Sequence, residues 1–327
     1  MMKDWNLVAD IGGTNARFGV FCRRTQQLEI THSYAVADYP KFEDALAQFL
    51  NEIDSLKQHE KLPRFACLAV ACVPDNEIIQ FTNSSWRFQK SDISHQLGGA
   101  ALVVINDFAA VAYAIPSLKS SDYIEIGGHS ATVDKPIIVL GPGTGLGVAS
   151  LIPNPDSGYS VVGGEGGHAD FAPVTPLEIS ILTELQKRYE RVSIERLLSG
   201  AGIINIYEAI ANIKGREAKF DSAAAIAQAA NDGSDSLALS AMNAFFAVLG
   251  STAGNLALTL GAMGGVYIAG GITPRYPELL RNSEFRARFE AKGRFKSYLQ
   301  PIVLRVITKD HLGLLGAAER LNILENS

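Results

Sequence analysis

Several stretches of this chain combine residue types able to hold a phosphorylated ligand or a polyol. The first, Asp10-Ile11-Gly12-Gly13-Thr14-Asn15, follows a short apolar run. Adjacent glycines let backbone N–H groups approach an anion with no Cβ in the way, and the Thr14 hydroxyl adds a donor. Asp10, at the end of the expected strand, is suited to hold Mg2+ directly or through water. A plain hairpin turn is the alternative. Gly141-Pro142-Gly143-Thr144-Gly145-Leu146-Gly147 is either a second anion cradle or a structural turn. It is not a Walker A loop, because no Gly-Lys-Ser/Thr closes it. It also fails the dinucleotide fingerprint: Leu146 stands where a third glycine belongs, and a strand follows in place of a helix.

Asn106-Asp107 closes an apolar run at residues 101–105. A carboxylate at the C-terminal edge of a buried strand commonly faces a ligand, and the same pair can cap a helix; the two roles are compatible. Gly163-Gly164-Glu165-Gly166-Gly167-His168 sets Glu and His three residues apart. A carboxylate and a neutral imidazole together accept and donate, which suits a vicinal diol. The rival reading is a metal site, with Asp170 the nearest further ligand and no cysteine cluster to complete it. Glu195, just before Leu197-Leu198-Ser199-Gly200, is a further candidate carboxylate or an exposed helix charge. Gly264-Gly265-Val266-Tyr267-Ile268-Ala269-Gly270-Gly271 either lays a flat ring against backbone or packs a strand tightly on a helix.

The hydrophobic pattern supplies an α/β scaffold for these stretches. Residues 5–9, 16–22 and 28–35 read as an antiparallel meander. Pro40 opens a helix whose apolar face is Phe42, Leu46, Phe49, Leu50 and Ile53. Strands are expected at 65–73, 78–81 and 101–105, with a short helix at 91–97. In the second half, strands at 137–140 and 148–152 flank the glycine-rich run. Thr175-Pro176-Leu177-Glu178 is a capping box opening a helix to about residue 189. Helices follow near 202–213, 222–230 and 235–260, then a strand at 266–269, a helical region at 277–291, a strand at 302–307 and a helix at 312–323. Each half opens with strand, glycine-rich turn and strand, which suggests duplicated α/β domains without a sequence-level repeat.

A chain of 327 residues suggests about two domains, since single cores stop growing at roughly 250–300 residues. Net charge is −5 and no Lys/Arg run occurs, so nothing draws the chain to nucleic acid or an anionic membrane. Cys22, Cys67 and Cys72 are too few for a disulfide framework or a four-ligand zinc knuckle, and read as buried thiols in a reducing cytoplasm. An acidic residue near the start and no following apolar segment speak against a secretory signal. Residues 236–274 lack charge and are long enough to span a membrane. They hold Asn243, Asn255 and seven glycines, however, and read as a buried helix followed by a buried strand.

Taken in order, the motifs resemble the bacterial glucokinase family of non-ROK type, within the hexokinase–actin–Hsp70 ATPase superfamily. The matching residues are Asp10 to Arg17, Thr82-Asn83-x-x-Trp86, Ile105-Asn106-Asp107-Phe108, Gly141 to Gly147, Gly164 to His168, Glu195-Arg196-x-Leu198-Ser199-Gly200, Gly264 to Gly271 and Gly313-Leu314-Leu315-Gly316. The resemblance implies two ribonuclease H-like (actin-like ATPase) α/β domains with an inter-domain cleft, the small one residues 1–117 plus 308–327 and the large one 118–307. It implies ATP-dependent phosphorylation of glucose at the 6-hydroxyl with Asp107 as general base. Asn106, Asp107, Glu165, His168 and Glu195 would hold the sugar. Ala9, Asp10, Ile11, Gly12, Gly13, Thr14 and Asn15, with Thr144 and Gly145, would surround the phosphates, Gly270 would lie near adenosine, and Asp10 would face Mg2+.

The alternatives are a kinase for mannose, fructose or an N-acetylhexosamine, or an actin-like nucleotide binder without sugar. ROK relatives carry a zinc-binding cysteine cluster after Gly-His; here Ala169-Asp170-Phe171-Ala172-Pro173 follows, so no zinc is expected. Ala9 stands where relatives often have glycine, which implies a slightly tighter fit. A ROK repressor needs a DNA-binding module before the first turn, and nine residues precede Asp10. The resemblance further suggests a cytoplasmic protein, a homodimer, and no nucleic-acid or membrane partner.

Overall fold

A computed structural model describes residues 4–56, 59, 62–81, 84–129, 131–156 and 158–326. The chain divides into two units, Met1–Leu118 with Lys309–Ser327, and Lys119–Thr308. The boundaries expected from the sequence lie one residue earlier at each crossing.

The first unit is built on β1 (Trp5–Ile11), in which every residue except Asp10 is buried. Such a run suits a central strand covered on both faces. β2 (Asn15–Cys22) and β3 (Gln27–Ala35) follow as antiparallel hairpins. α1 (Phe42–Leu56) buries Phe42, Ala45, Leu46, Phe49, Leu50 and Ile53, the three-and-four spacing of one helix face. It starts two residues after Pro40. β4 (Phe65–Val70) stops three residues short of the expected end, ahead of Pro74, which has no N–H to donate. β5 (Ile78–Gln80) and β6 (Arg87–Gln89) form a separate ribbon, followed by α2 (Lys90–Gln96), β7 (Ala101–Asn106) and α3 (Asp107–Ala114). The main sheet runs β3-β2-β1-β4-β7, with β1, β4 and β7 parallel. Trp5, Phe18, Phe42, Phe49 and Trp86 fill its core. The Trp86 indole N–H donates to the Tyr39 carbonyl at 2.9 Å. Thr82 and Asn83, the start of the Trp86 motif, lie outside the described residues.

The second unit repeats this plan. β8 (Tyr123–Glu125), β9 (Ile137–Pro142), β10 (Leu146–Asn154) and β11 (Gly158–Gly164) precede α4 (Pro176–Gln186), α5 (Gly200–Ile213), α6 (Ala223–Asn231) and α7 (Ser236–Leu260). Then come β12 (Val266–Ile268), α8 (Pro277–Asn282), α9 (Phe285–Glu290), α10 (Lys296–Leu299) and β13 (Leu304–Ile307). The sheet runs β11-β10-β9-β12-β13-β8. Counting from its first long strand, β9 to β13 reproduce the third-second-first-fourth-fifth order of the first unit, with β8 added antiparallel at the edge. β8 and β11 escape sequence reading: one is three residues long and the other, Gly-Tyr-Ser-Val-Val-Gly-Gly, lacks alternation.

α7 is long and apolar enough to cross a membrane, but 83% of its most apolar window is buried inside the protein. Gly250 and Gly254 let it touch α9, where a Cβ would stand 2.0 Å from the Phe285 carbonyl oxygen and 2.5 Å from that of Phe289. The helical region expected at 277–291 is broken at Ser283, whose hydroxyl accepts the Phe285 N–H at 3.2 Å. Half of the expected capping box forms, with Thr175 Oγ1 accepting the Glu178 N–H at 3.2 Å. The buried Glu178 carboxylate turns instead to the Val174 N–H and to a two-armed ion pair with Arg288, because a buried charge needs a countercharge.

The chain then returns to the first unit as α11 (Leu312–Asn326). Leu314, Ala317, Ala318 and Leu321 pack on Val8, Phe21 and Cys67. Gly316 brings α11 against α3 so closely that a Cβ would lie 1.6 Å from the Ala110 carbonyl oxygen.

Candidate active site

In the first unit the candidate residues gather at the C-terminal end of one sheet. The register aligns Ile11 with Val70 and Val70 with Asn106, so the C-terminal ends of β1 and β7 flank that of β4. Two strand spacings put the backbone of the first turn about 10 Å from Asn106. The turn is closed by the Gly12 N–H donating to the Asn15 carbonyl at 2.9 Å and pinned by the Val36 N–H on the Thr14 carbonyl at 2.9 Å. Thr14 and Asn15 are exposed, while Ala9 and Ile11 are fully buried in the core. Of residues 9–15, therefore, the Asp10 side chain, the exposed Thr14 and Asn15 and the backbone of the turn can meet a ligand. The Ala9 methyl packs in the core of its unit.

Asp10 has surroundings that sequence reading missed. Arg17, its cross-strand partner, donates to its carboxylate at 3.3 Å. Gly313 of α11 lies against it, where a Cβ would fall 2.6 Å from the carboxyl carbon. Burial raises the Asp10 pKa, and this outweighs the lowering by Arg17 and His311. A carboxylate held above its ordinary value beside a guanidinium still lacks countercharge. A divalent cation bound through one carboxylate and substrate phosphates fits that lack. The Arg17 contact could have been found from hairpin register; the motif holding Gly313 gave no sign of its contact with Asp10.

Asn106 caps α3, its Oδ1 accepting from Phe108 N–H at 2.9 Å and Ala109 N–H at 3.1 Å. Its amide NH2 is thereby the donor it can offer a ligand. Asp107 opens α3, half-exposed, with Oδ1 accepting the Phe108 N–H at 2.8 Å. Both side chains thus accept the Phe108 N–H at the start of α3. Cys72 belongs to this region too: burial and the Asp107 charge push its thiol up to about 11, and burial pushes Cys67 up to about 12.

In the second unit, β9 and β10 meet in a turn closed by the Gly143 N–H on the Gly145 carbonyl at 2.8 Å, with Thr144 exposed at its tip. Gly270 follows β12 with φ +89°, and a Cβ there would lie 2.4 Å from the Pro142 carbonyl oxygen; both facts demand glycine. Glu165 and His168 flank one 3-10 turn, Gly166–His168, their side chains 3.9 Å apart and largely exposed. Glu195 is half-buried, and its Oε2 accepts the Leu146 N–H at 2.8 Å. It is a loop contact and not a free helix charge. Among the described residues no group of three or more His, Cys, Asp or Glu side chains is placed to hold a metal ion.

The family profile described as Glucokinase matches residues 7–323. A glucokinase of Colwellia psychrerythraea is 43% identical over 322 residues, covering 97% of this chain and 96% of its own. The solved glucokinase of an Antarctic psychrotroph is 39% identical, with TM-score 0.86 and full coverage of both chains. The glucokinase of Balamuthia mandrillaris, solved in complex with glucose, is 25% identical, with TM-score 0.78 over 97% of this chain and 93% of that one.

Proposed function

We propose a site and mechanism from this premise: the chain belongs to the glucokinase family. It phosphorylates glucose. Asp107 takes the proton of the glucose 6-hydroxyl as that oxygen attacks the γ-phosphorus of ATP. A new P–O bond forms, the bond to the β,γ-bridging oxygen breaks, and ADP leaves. Asn106, Glu165, His168 and Glu195 fix the remaining hydroxyls. Backbone N–H groups of residues 12–15 and 144–145, with the Thr14 and Thr144 hydroxyls, surround the phosphates, and Gly270 lets adenosine approach the backbone. Positioning and these donors supply most of the acceleration, and the base supplies roughly 10²–10⁴-fold. Asp10 would hold Mg2+, which when bound supplies charge neutralisation to the phosphates.

The observation that supports this reading is the shared strand edge that carries Asp10 and Asp107. The same reading takes the units as two ribonuclease H-like, actin-like ATPase domains whose residues serve one substrate pair, uses no zinc, and takes the protein as cytoplasmic and homodimeric. The test is ADP release with MgATP across glucose, mannose, fructose and N-acetylglucosamine, repeated with Asp107→Asn. The amide keeps the acceptor for the Phe108 N–H but cannot take a proton. Glucose should be the preferred sugar. The variant should lose about 10²–10⁴-fold in kcat with little change in glucose affinity; near-normal turnover removes Asp107 from the role of base.

A further inference from the structure

Glu195 is expected above to bind sugar, yet one of its oxygens is already engaged. Oε2 accepts the Leu146 N–H at 2.8 Å, and the carboxylate lies on the bare α-carbon of Gly145. A Cβ at position 145 would stand 2.4 Å from Oε2, 3.2 Å from the carboxyl carbon and 3.8 Å from Oε1. The segment bearing Glu195 grips the same loop a second time, through the Gly200 N–H on the Gly143 carbonyl at 2.8 Å. That segment is itself held by Ser199, whose hydroxyl donates to the Glu195 carbonyl at 2.9 Å and accepts the Gly202 N–H at 3.0 Å. The Glu165–His168 turn is seated on the strand leaving the loop: a Cβ on Gly167 would fall 2.3 Å from the Leu146 carbonyl oxygen.

We propose that Glu195 is a positioning residue for the Gly143–Gly145 phosphate loop as well as a sugar ligand, and so couples the two substrates within one unit. Oε2 fixes the loop through Leu146 and Gly145, while Oε1 faces the sugar. A sugar hydroxyl donating to Oε1 holds the carboxylate in the rotamer that keeps the loop ready for phosphate. This rests on the reading of Glu195 as a sugar ligand, and the experiment separates the two.

MgADP affinity is measured by calorimetry on the sugar-free protein and at saturating glucose, for the wild type, Glu195→Ala, Glu195→Gln and Gly145→Ala. Glucose KM is measured alongside. Losing a charge-assisted hydrogen bond to the loop should cost Glu195→Ala about tenfold in sugar-free MgADP affinity. Gly145→Ala leaves the carboxylate in the chain but displaces it, and should give a similar loss. Glu195→Gln keeps an acceptor for the Leu146 N–H and should hold MgADP affinity within about threefold. Glucose should tighten MgADP binding in the wild type and cease to do so in Glu195→Ala. Wild-type MgADP affinity in sugar-free Glu195→Ala overturns the loop role. An unchanged glucose KM in Glu195→Ala and Glu195→Gln overturns instead the sugar-ligand reading. Retention of the Gln variant's affinity against loss in the other two excludes a general loss of structure.

Discussion

Asp10 carries a charge that the ligand-free protein does not fully compensate. Its pKa is raised above the ordinary 3.8 because burial outweighs Arg17 and His311. A folded value above the unfolded one favours the protonated form in the native state. The stabilising contribution is complete below the ordinary value and is lost as pH rises through the raised one. Above that range the side chain therefore weakens the ligand-free fold. Asp10→Asn should raise the thermal midpoint of the ligand-free protein at pH 7, lose that advantage in acid below the ordinary carboxylate range, and bind MgADP less tightly. Equal midpoints for the two proteins at pH 7 would show that burial imposes no such cost. This is the trade-off that the proposed cation-holding role of Asp10 would entail.

Elements hold these residues through contacts too close for side chains. Gly316 sits inside α11, where helix propensity alone favours alanine by about 1 kcal/mol. The tertiary contact opposes it, since the added methyl would lie 1.6 Å from the Ala110 carbonyl oxygen of α3. Overpacking of this kind costs about 1–3 kcal/mol or more, so the clash wins. Gly316→Ala should lower stability by about 1–3 kcal/mol in chemical denaturation. It should also reduce kcat, because α3 begins at Asp107 and must move to make room. A stabilised variant would mean that the two helices do not approach so closely. Gly313 plays the corresponding part beside Asp10, so α11 seats both candidate carboxylates of its unit.

The molecule as a whole comprises two units, each with its own buried core, joined where the chain crosses at residues 118–119 and 308–309. Units with separate cores can unfold in separate steps. The proposed glucose ligands Asn106 and Asp107 belong to one unit, and Glu165, His168 and Glu195 to the other. A ligand that needs both in native form stabilises whichever unit melts first, by about 2.7 kcal/mol at a hundred times Kd. In scanning calorimetry, saturating glucose should shift the first unfolding transition upward. A first transition left unmoved would assign the sugar to the later-melting unit alone.

The sequence by itself determined most of the element types and singled out the candidate stretches. Apolar periods of two and 3.6, glycine pairs and a carboxylate at a strand end are local properties, legible without a fold. It also carried the duplication, as two openings of strand, glycine turn and strand. Only the tertiary structure decided what each side chain touches. Glu195 reaches Leu146 across 49 positions, Gly313 meets Asp10 from the far end of the chain, and Glu178 leaves its capping box for Arg288. Periodicity tells which face of an element is buried but not which element covers it, and these partners were fixed by the folding of distant segments onto shared sheets.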